Sequence, residues 1–231
     1  MTSGDQVIAA MHDRYASTWY KNLTFVQQTT NWRPPGGTST TKTWWEAGMI
    51  PGRLRIDTDS IRKGDGVIFR GDSVYSFAGG KQVSANPGVN ELLVLGFDVY
   101  GQPVSRTLEV LRQRGFDVAK VHEGTWLGEP VWIVGALAGD TTSKQFWISR
   151  DRLIFLRMLQ LATTPNGSRY VDLRFDKYVK RGGGWVAEEV WQYVDGKPAL
   201  HEEYSQVRVD VPLDEGIFDP ARFSTAQHWA K

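Results

Sequence analysis

The chain has 231 residues, enough for one large β-rich domain or two small ones, and 41% of them are hydrophobic, enough for a real core. Its 27 basic and 26 acidic residues leave a net charge of +1, so no electrostatic argument favours nucleic acid, which needs cations clustered on one face. The complete lack of cysteine removes disulfides, zinc–thiolate sites, iron–sulfur clusters and thiol catalysis, and no apolar run approaches the length of a membrane span.

Ser3-Gly4-Asp5-Gln6 fits a capping box, in which the Ser side chain takes the amide three residues on and Gln6 reaches back. Ile8, Met11, Tyr15 and Trp19 follow at helical spacing. The pattern predicts an amphipathic helix over residues 4–19 whose stripe packs on a sheet. No basic-then-apolar leader precedes it, so the protein is either cytosolic or a piece whose leader has been removed.

Strand signals begin at Leu23. Residues 23–32 carry Phe25, Val26 and Trp32, and residues 41–47 carry Trp44 and Trp45. Residues 52–58 alternate Leu54 and Ile56 with Arg53, Arg55 and Asp57, a period of two. Residues 66–70 and 73–77 form a hairpin pair around Gly71-Asp72. The stretch 80–90, with Asn86-Pro87-Gly88, reads as a loop.

Then the period changes. Residues 90–95 read as a short helix. Residues 103–115 read as a second, with Pro103 near its start, Val104, Leu108 and Leu111 on one face, and Gly115 as its stop. Arg112 and Arg114 in its last turn suit the helix dipole.

Strands resume over 118–126, 130–137, 144–149, 153–161, 169–179, 185–194 and 199–211. Pro165-Asn166-Gly167, Gly182-Gly183-Gly184 and Asp195-Gly196 supply turns, the first and last with residues that accept positive φ. From Pro212 on, the aromatic-bearing Ile217-Phe218-Asp219-Pro220-Ala221-Arg222-Phe223 reads as a docking tail. The alternation gives the sheet one buried and one wet face. The expected fold is mainly β (α+β), a single domain over 1–231. It comprises an N-terminal helix within 1–21, first strands over 22–85, a helical pair over 90–115, an antiparallel meander over 116–211 and a tail over 212–231, with about eleven strands in all.

Catalytic signals are weak. His201-Glu202-Glu203 fails the zincin spacing, since Ser205 stands four residues after His201. In a strand His201 and Glu203 share a face, so an exposed strand face outweighs a metal site. His12, His122 and His228 have no partners at ligand spacing. There is no Gly-x-Ser-x-Gly elbow, and Gly79-Gly80-Lys81 lacks the spacing of a phosphate loop. Glu188-Glu189, Glu202-Glu203 and Asp214-Glu215 are strand or tail neighbours; in a strand such neighbours face opposite ways, which argues against an acid/base pair. No cofactor or metal is implied, and the chain reads as no enzyme.

The order of elements is similar to that of the LolA/LolB-like lipoprotein-localisation superfamily, which includes the sensor domain of RseB-type regulators. The residues that carry the likeness are Trp44-Trp45-Glu46 with Pro51-Gly52-Arg53-Leu54-Arg55-Ile56-Asp57, then Gly71-Asp72-Ser73-Val74-Tyr75-Ser76-Phe77. Val131-Trp132-Ile133-Val134, Phe146-Trp147-Ile148-Ser149 and Phe218-Asp219-Pro220 add to it. The resemblance implies a strongly curved, unclosed antiparallel half-barrel with the helices as a lid over an apolar cavity for acyl chains or, in sensor relatives, an acylated or peptide ligand. It also implies a place in the bacterial envelope, periplasmic or secreted, with the leader removed. One position departs. The lid-holding arginine of the lipoprotein carriers falls at Ile50, just before Pro51, which puts that gating mechanism in question here.

Apolar residues on the strands outnumber what the helices can cover: Phe25, Trp45, Leu54, Ile56, Phe69, Tyr75, Phe77, Ile133, Trp147, Phe155, Leu173 and Phe175. With Leu92, Leu95, Leu108 and Leu111 of the helical pair, they are the expected lining of a hydrophobic site; a fully packed dry core is the competing reading. The expected function is non-catalytic binding of an acylated lipoprotein or lipid, with a possible envelope protein partner. The alternative is a periplasmic sensor or interaction module that docks a peptide or protein, for example at an exposed edge strand. A hydrolase ranks third, and would need polar side chains in the concavity with a buried carboxylate of raised pKa.

Overall fold

Ser3 caps the first helix, its Oγ accepting from the Gln6 amide at 3.4 Å. Gln6 Oε1 reaches back to the Thr2 amide at 2.7 Å, one residue beyond the cap. The computed structural model describes residues 1–165 and 167–230; Asn166 of the expected hairpin turn lies outside them. The first helix, α1, spans Gly4–Tyr15 and buries Val7, Ile8, Met11 and Tyr15. It stops short of residue 19 because the chain turns after Tyr15, bringing Trp19 onto Tyr100 in a stack with centroids 3.7 Å apart.

Thirteen strands follow, one more than the twelve segments read as strands in the sequence: β1 (Asn22–Arg33), β2 (Thr38–Met49), β3 (Arg53–Thr58), β4 (Gly66–Arg70), β5 (Ser73–Ala78), β6 (Lys81–Pro87), β7 (Val121–Trp126), β8 (Glu129–Val134), β9 (Gln145–Ser149), β10 (Phe155–Thr164), β11 (Gly167–Arg181), β12 (Gly184–Val194) and β13 (Lys197–Val209). Between β6 and β7 lie α2 (Glu91–Gly96), a 3-10 turn (Asp98–Tyr100) and α3 (Val104–Gln113). The stretch expected to be a loop contains β6, an exposed outer strand paired to β5 from Ala78↔Lys81 to Ser73↔Pro87. An exposed edge needs no hydrophobic phase, so the sequence carries no strand signal there. At the turn expected before β13, Asp195 and Gly196 take φ of +50° and +75°, the double positive φ of a type I′ hairpin.

All strands form one antiparallel sheet in the order β6-β5-β4-β3-β2-β1-β13-β12-β11-β10-β9-β8-β7. The first six strands wind outward one way from β1, the last seven wind back to it, and β13 joins the halves beside β1. The outer strands β6 and β7 do not pair with each other among the described residues, so the half-barrel stays open. This topology also places the helical pair. The segment joining β6 to β7 must travel from one edge of the sheet to the other, which carries α2 and α3 across its inner face.

The core divides accordingly. α1, α3 and the 3-10 turn pack with β8 to β12 through Ile8, Met11, Tyr100, Leu108, Leu111, Phe146, Ile148 and Phe155. On the outer face of the first strands the C-terminal tail supplies a second dry layer. Ile217, Phe218 and Ala226 close on Ala47, and Phe223 stacks on Phe77 with centroids 3.8 Å apart and planes 5° from parallel. Phe218 and Phe223 of the tail are both buried. One end of the sheet is therefore buried on both faces, where one wet face was expected.

An apolar cavity with an acidic end

Directly opposed residues of an antiparallel pair share a face. The register Phe25↔Glu46↔Ile56 therefore sets these three side by side, as do Leu23↔Gly48↔Leu54 and the pair Gln27↔Trp44. From β13, Tyr204 stands opposite Gln27 and Glu202 opposite Thr29. These residues form the inner wall of a cavity of ≈ 100 Å³, closed from above by Leu92, Leu93 and Phe97 and from the side by Phe175.

Helix α2 sits close because Gly96 lets it; a Cβ there would meet Phe175 Cε2 at 3.2 Å. Asn90 caps it, Oδ1 accepting from the amides of Leu92 and Leu93 at 3.0 and 3.3 Å. Glu91 bonds Arg114 and Lys144, each at 2.7 Å. Asp98 Oδ1 accepts from the Gly52 amide at 2.8 Å, tying the chain after α2 to the turn at Ile50 and Pro51.

Five of the sixteen expected lining residues meet at this cavity: Phe25, Leu54, Ile56, Leu92 and Phe175. Phe69 lies opposite Leu54 on the same face, beyond the cavity wall. Leu95, Leu108, Leu111, Phe155 and Leu173 are buried in the main core. Trp45, Tyr75 and Phe77 point to the outer face, Tyr75 and Phe77 toward Phe223 of the tail. Ile133 and Trp147 oppose each other; Trp147 meets Trp126 edge-on at 5.5 Å, with Arg157 over its ring at 4.5 Å.

Sequence reasoning missed Leu23, Gln27, Trp44, Glu46, Glu202 and Tyr204. A signal existed for three of them: Gln27, Glu46 and Glu202 are polar at positions in phase with inward apolar neighbours. Gln27 is 1% exposed and Glu46 6%. Burial pushes the Glu46 carboxyl well above its ordinary value, and nearby Glu202 adds to the rise. Burial takes Glu202 up to about 7, against the opposing hydrogen bonds of Tyr204 and Gln27. Tyr204 donates its hydroxyl to Glu202 Oε2 at 3.0 Å. Asp98 also rises to about 7 through burial, opposed by the Gly52 amide.

His201 and Glu203 do share a face, with Glu189 of β12, and one ligand atom from each lies within 4.8 Å of the others. Glu189 there already accepts from Lys177 at 2.9 Å and pairs with His201 at 3.0 Å. An ammonium fills the cation position, and the cluster reads as an ion-pair network.

The chain is an open thirteen-stranded antiparallel half-barrel crossed by short helices. Among solved structures the chain is similar to a DUF1329 family protein from Desulfovibrio piger, with a TM-score of 0.61 and 14% identity over 94% of this chain and 95% of that one. It is similar to a putative outer membrane lipoprotein-sorting protein domain from Vibrio parahaemolyticus, with a TM-score of 0.64 and 11% identity over 96% and 98%. It is similar also to a LolA superfamily protein from Nitrosomonas europaea, with a TM-score of 0.53 and 10% identity over 94% and 98%. At these identities the likeness is one of fold. No protein-family model matches the chain, and no curated protein matches it in sequence.

Proposed function

We propose that the protein binds an acylated or otherwise hydrophobic ligand, a lipoprotein or lipid, without catalysis, as a carrier or chaperone of the bacterial envelope. The observation that carries this reading is the apolar cavity between α2 and the inner sheet face, walled by Leu23, Phe25, Leu54, Ile56, Leu92 and Phe175. Each buried methylene contributes roughly 0.8 kcal/mol, so about ten could offer about 8 kcal/mol before immobilisation costs. The description of the Vibrio parahaemolyticus domain as lipoprotein-sorting supports the same class of cargo. No helix among the described residues is long and apolar enough to cross a membrane.

At ≈ 100 Å³ the cavity falls short of the roughly 300–1,000 Å³ of usual ligand pockets. Binding therefore requires an opening, and α2 is the element placed to give it. It is only six residues long and is held by the Asn90, Glu91 and Asp98 contacts. Helix α3 acts as the fixed support, since Leu108 and Leu111 are buried in the main core.

The buried carboxyls that a hydrolase would need are present in Glu46 and Glu202. Among the described residues, however, the cavity wall holds no Ser, Thr, His, Lys or Arg to act with them. The docking-module reading draws on one observation, the exposed outer strand β6, which could accept an added strand.

Native mass spectrometry of the purified protein, followed by denaturing extraction, tests the proposal. The expected result is a mass excess that releases an acylated species or lipid. A bare protein that also fails to bind an acyl probe would overturn it, and a copurifying protein without lipid would move the assignment to docking at β6.

A further inference from the structure

The polar wall of the cavity is one-sided in its chemistry. Its ionisable groups are Glu46 from β2 and Glu202 and Tyr204 from β13; β1, β3, β11 and α2 add none. Glu91 of α2 turns instead to Arg114 and Lys144. Gln27 donates its amide to Thr29 Oγ1 at 2.7 Å, which leaves its Oε1 buried with no hydrogen-bond partner among the described residues. A buried acceptor without a donor is costly, by about 1–3 kcal/mol, and in a native fold calls for an explanation. Glu46, Glu202 and Gln27, the last with its unpaired amide oxygen and with a side-chain hydrogen bond to Glu202, thus line the cavity. Beside them are the rings of Phe25, Trp44 and Tyr204, with Phe25 and Tyr204 stacked at 4.3 Å. Ring faces attract cations. Trp44 Nε1 is also buried and unpaired, and can donate to a ligand oxygen.

We propose that the ligand is a cationic amphiphile, with a protonated amine lodged among Glu46, Glu202 and Gln27 Oε1 and its apolar chain against Leu54, Ile56 and Leu92. This inference rests on the binding function proposed above and names the ligand's head. A fatty carboxylate or phosphate would meet two carboxyls and an amide oxygen with no cation in the wall. Once those carboxyls ionise, like charges repel strongly where water is excluded. An ammonium, by contrast, supplies up to three donors and the missing positive charge. Burial raises the Glu46 carboxyl and takes Glu202 up to about 7 in the empty cavity. Ammonium binding then releases protons, and its affinity rises with pH up to that value.

The test is displacement of a neutral fluorescent acyl probe from the full chain by dodecylamine, dodecanol and dodecanoate. At about pH 8 dodecylamine is expected to bind at least about tenfold tighter than dodecanol, with dodecanoate weakest, and the amine preference shrinks at about pH 6. Glu46→Gln and Glu202→Gln are each expected to reduce the amine preference, read as the ratio of dodecylamine to dodecanol affinity. Short-chain phosphatidylethanolamine against phosphatidylglycerol then separates sources: preference for the former assigns the amine to a lipid head, and preference for dodecylamine alone assigns a simple amine. Dodecanol binding as tightly as dodecylamine, tightest binding of dodecanoate, or an amine preference that survives both Gln variants would overturn the inference while leaving the binding function standing. Failure of all three amphiphiles would remove the binding function itself, and this inference with it.

Discussion

Asp57→Ala is expected to destabilise the protein by about 3–5 kcal/mol, the usual cost of leaving a buried charge without its partner. Arg55 is 4% exposed, Asp57 1% and His228 2%. The guanidinium holds both carboxylate oxygens, at 2.7 and 2.8 Å, and His228 Nε2 stands 3.0 Å from Oδ2. Arg55 also donates to the Ile217 carbonyl at 3.3 Å and lies over the Phe223 ring at 4.1 Å. The cluster is the polar pin of the C-terminal tail, and the tail braces the outer face of the strands whose inner face walls the cavity. Urea unfolding should show a lower midpoint, with faster proteolysis of residues 212–230. A loss under about 1 kcal/mol would mean that the tail is held by its aromatics alone. Burial would raise the Asp57 pKa, but the hydrogen bonds from Arg55 and His228 outweigh it and leave the pKa lowered. Its stabilising contribution is thus complete above the ordinary value of 3.8 and is lost as the pH falls through the folded value.

The opposite pH dependence is expected of the cavity side. Asp98 and Glu202 rise from ordinary values of 3.8 and 4.5 to about 7. The folded chain therefore holds these protons more tightly than the unfolded chain. Their contribution is complete below about pH 4, declines as the pH rises toward 7, and levels off above that. At about 1.4 kcal/mol per pKa unit, each group accounts for on the order of 3 kcal/mol. Asp98→Asn keeps an acceptor for the Gly52 amide and Glu202→Gln keeps one for Tyr204, so each should flatten the decline and raise stability at about pH 8. Urea midpoints between about pH 5 and pH 8 decide it. A flat or rising wild-type profile in that window, or variants with the wild-type slope, would contradict the assignment of buried neutral carboxyls.

These two sites show what was legible in the residues. The period of two over Leu54 and Ile56, the change of period at Asn90 and the stop at Gly115 place β3, α2 and α3 correctly, because each signal is local. The choice of inner face was harder. Alternation separates Trp44 from Trp45 but does not say which looks inward, since both faces are covered: the tail buries Ala47 on the face of Trp45, and α2 residues line the same cavity as Trp44. A residue of register decides the matter, and that register comes from pairing with β1 and β3. The acidic end was hidden for another reason. Glu46 and Glu202 lie far apart in sequence and meet only because β13 returns to flank β1.

Titration of wild-type protein and Ile56→Trp with a neutral fluorescent acyl probe tests the central claim most directly. Ile56 lines the cavity beneath α2, and the larger ring fills that space at an overpacking cost of about 1–3 kcal/mol. The account predicts saturable, displaceable binding by the wild type and binding at least about tenfold weaker by a folded Ile56→Trp. No binding by the wild type, or equal binding by the variant, would contradict it.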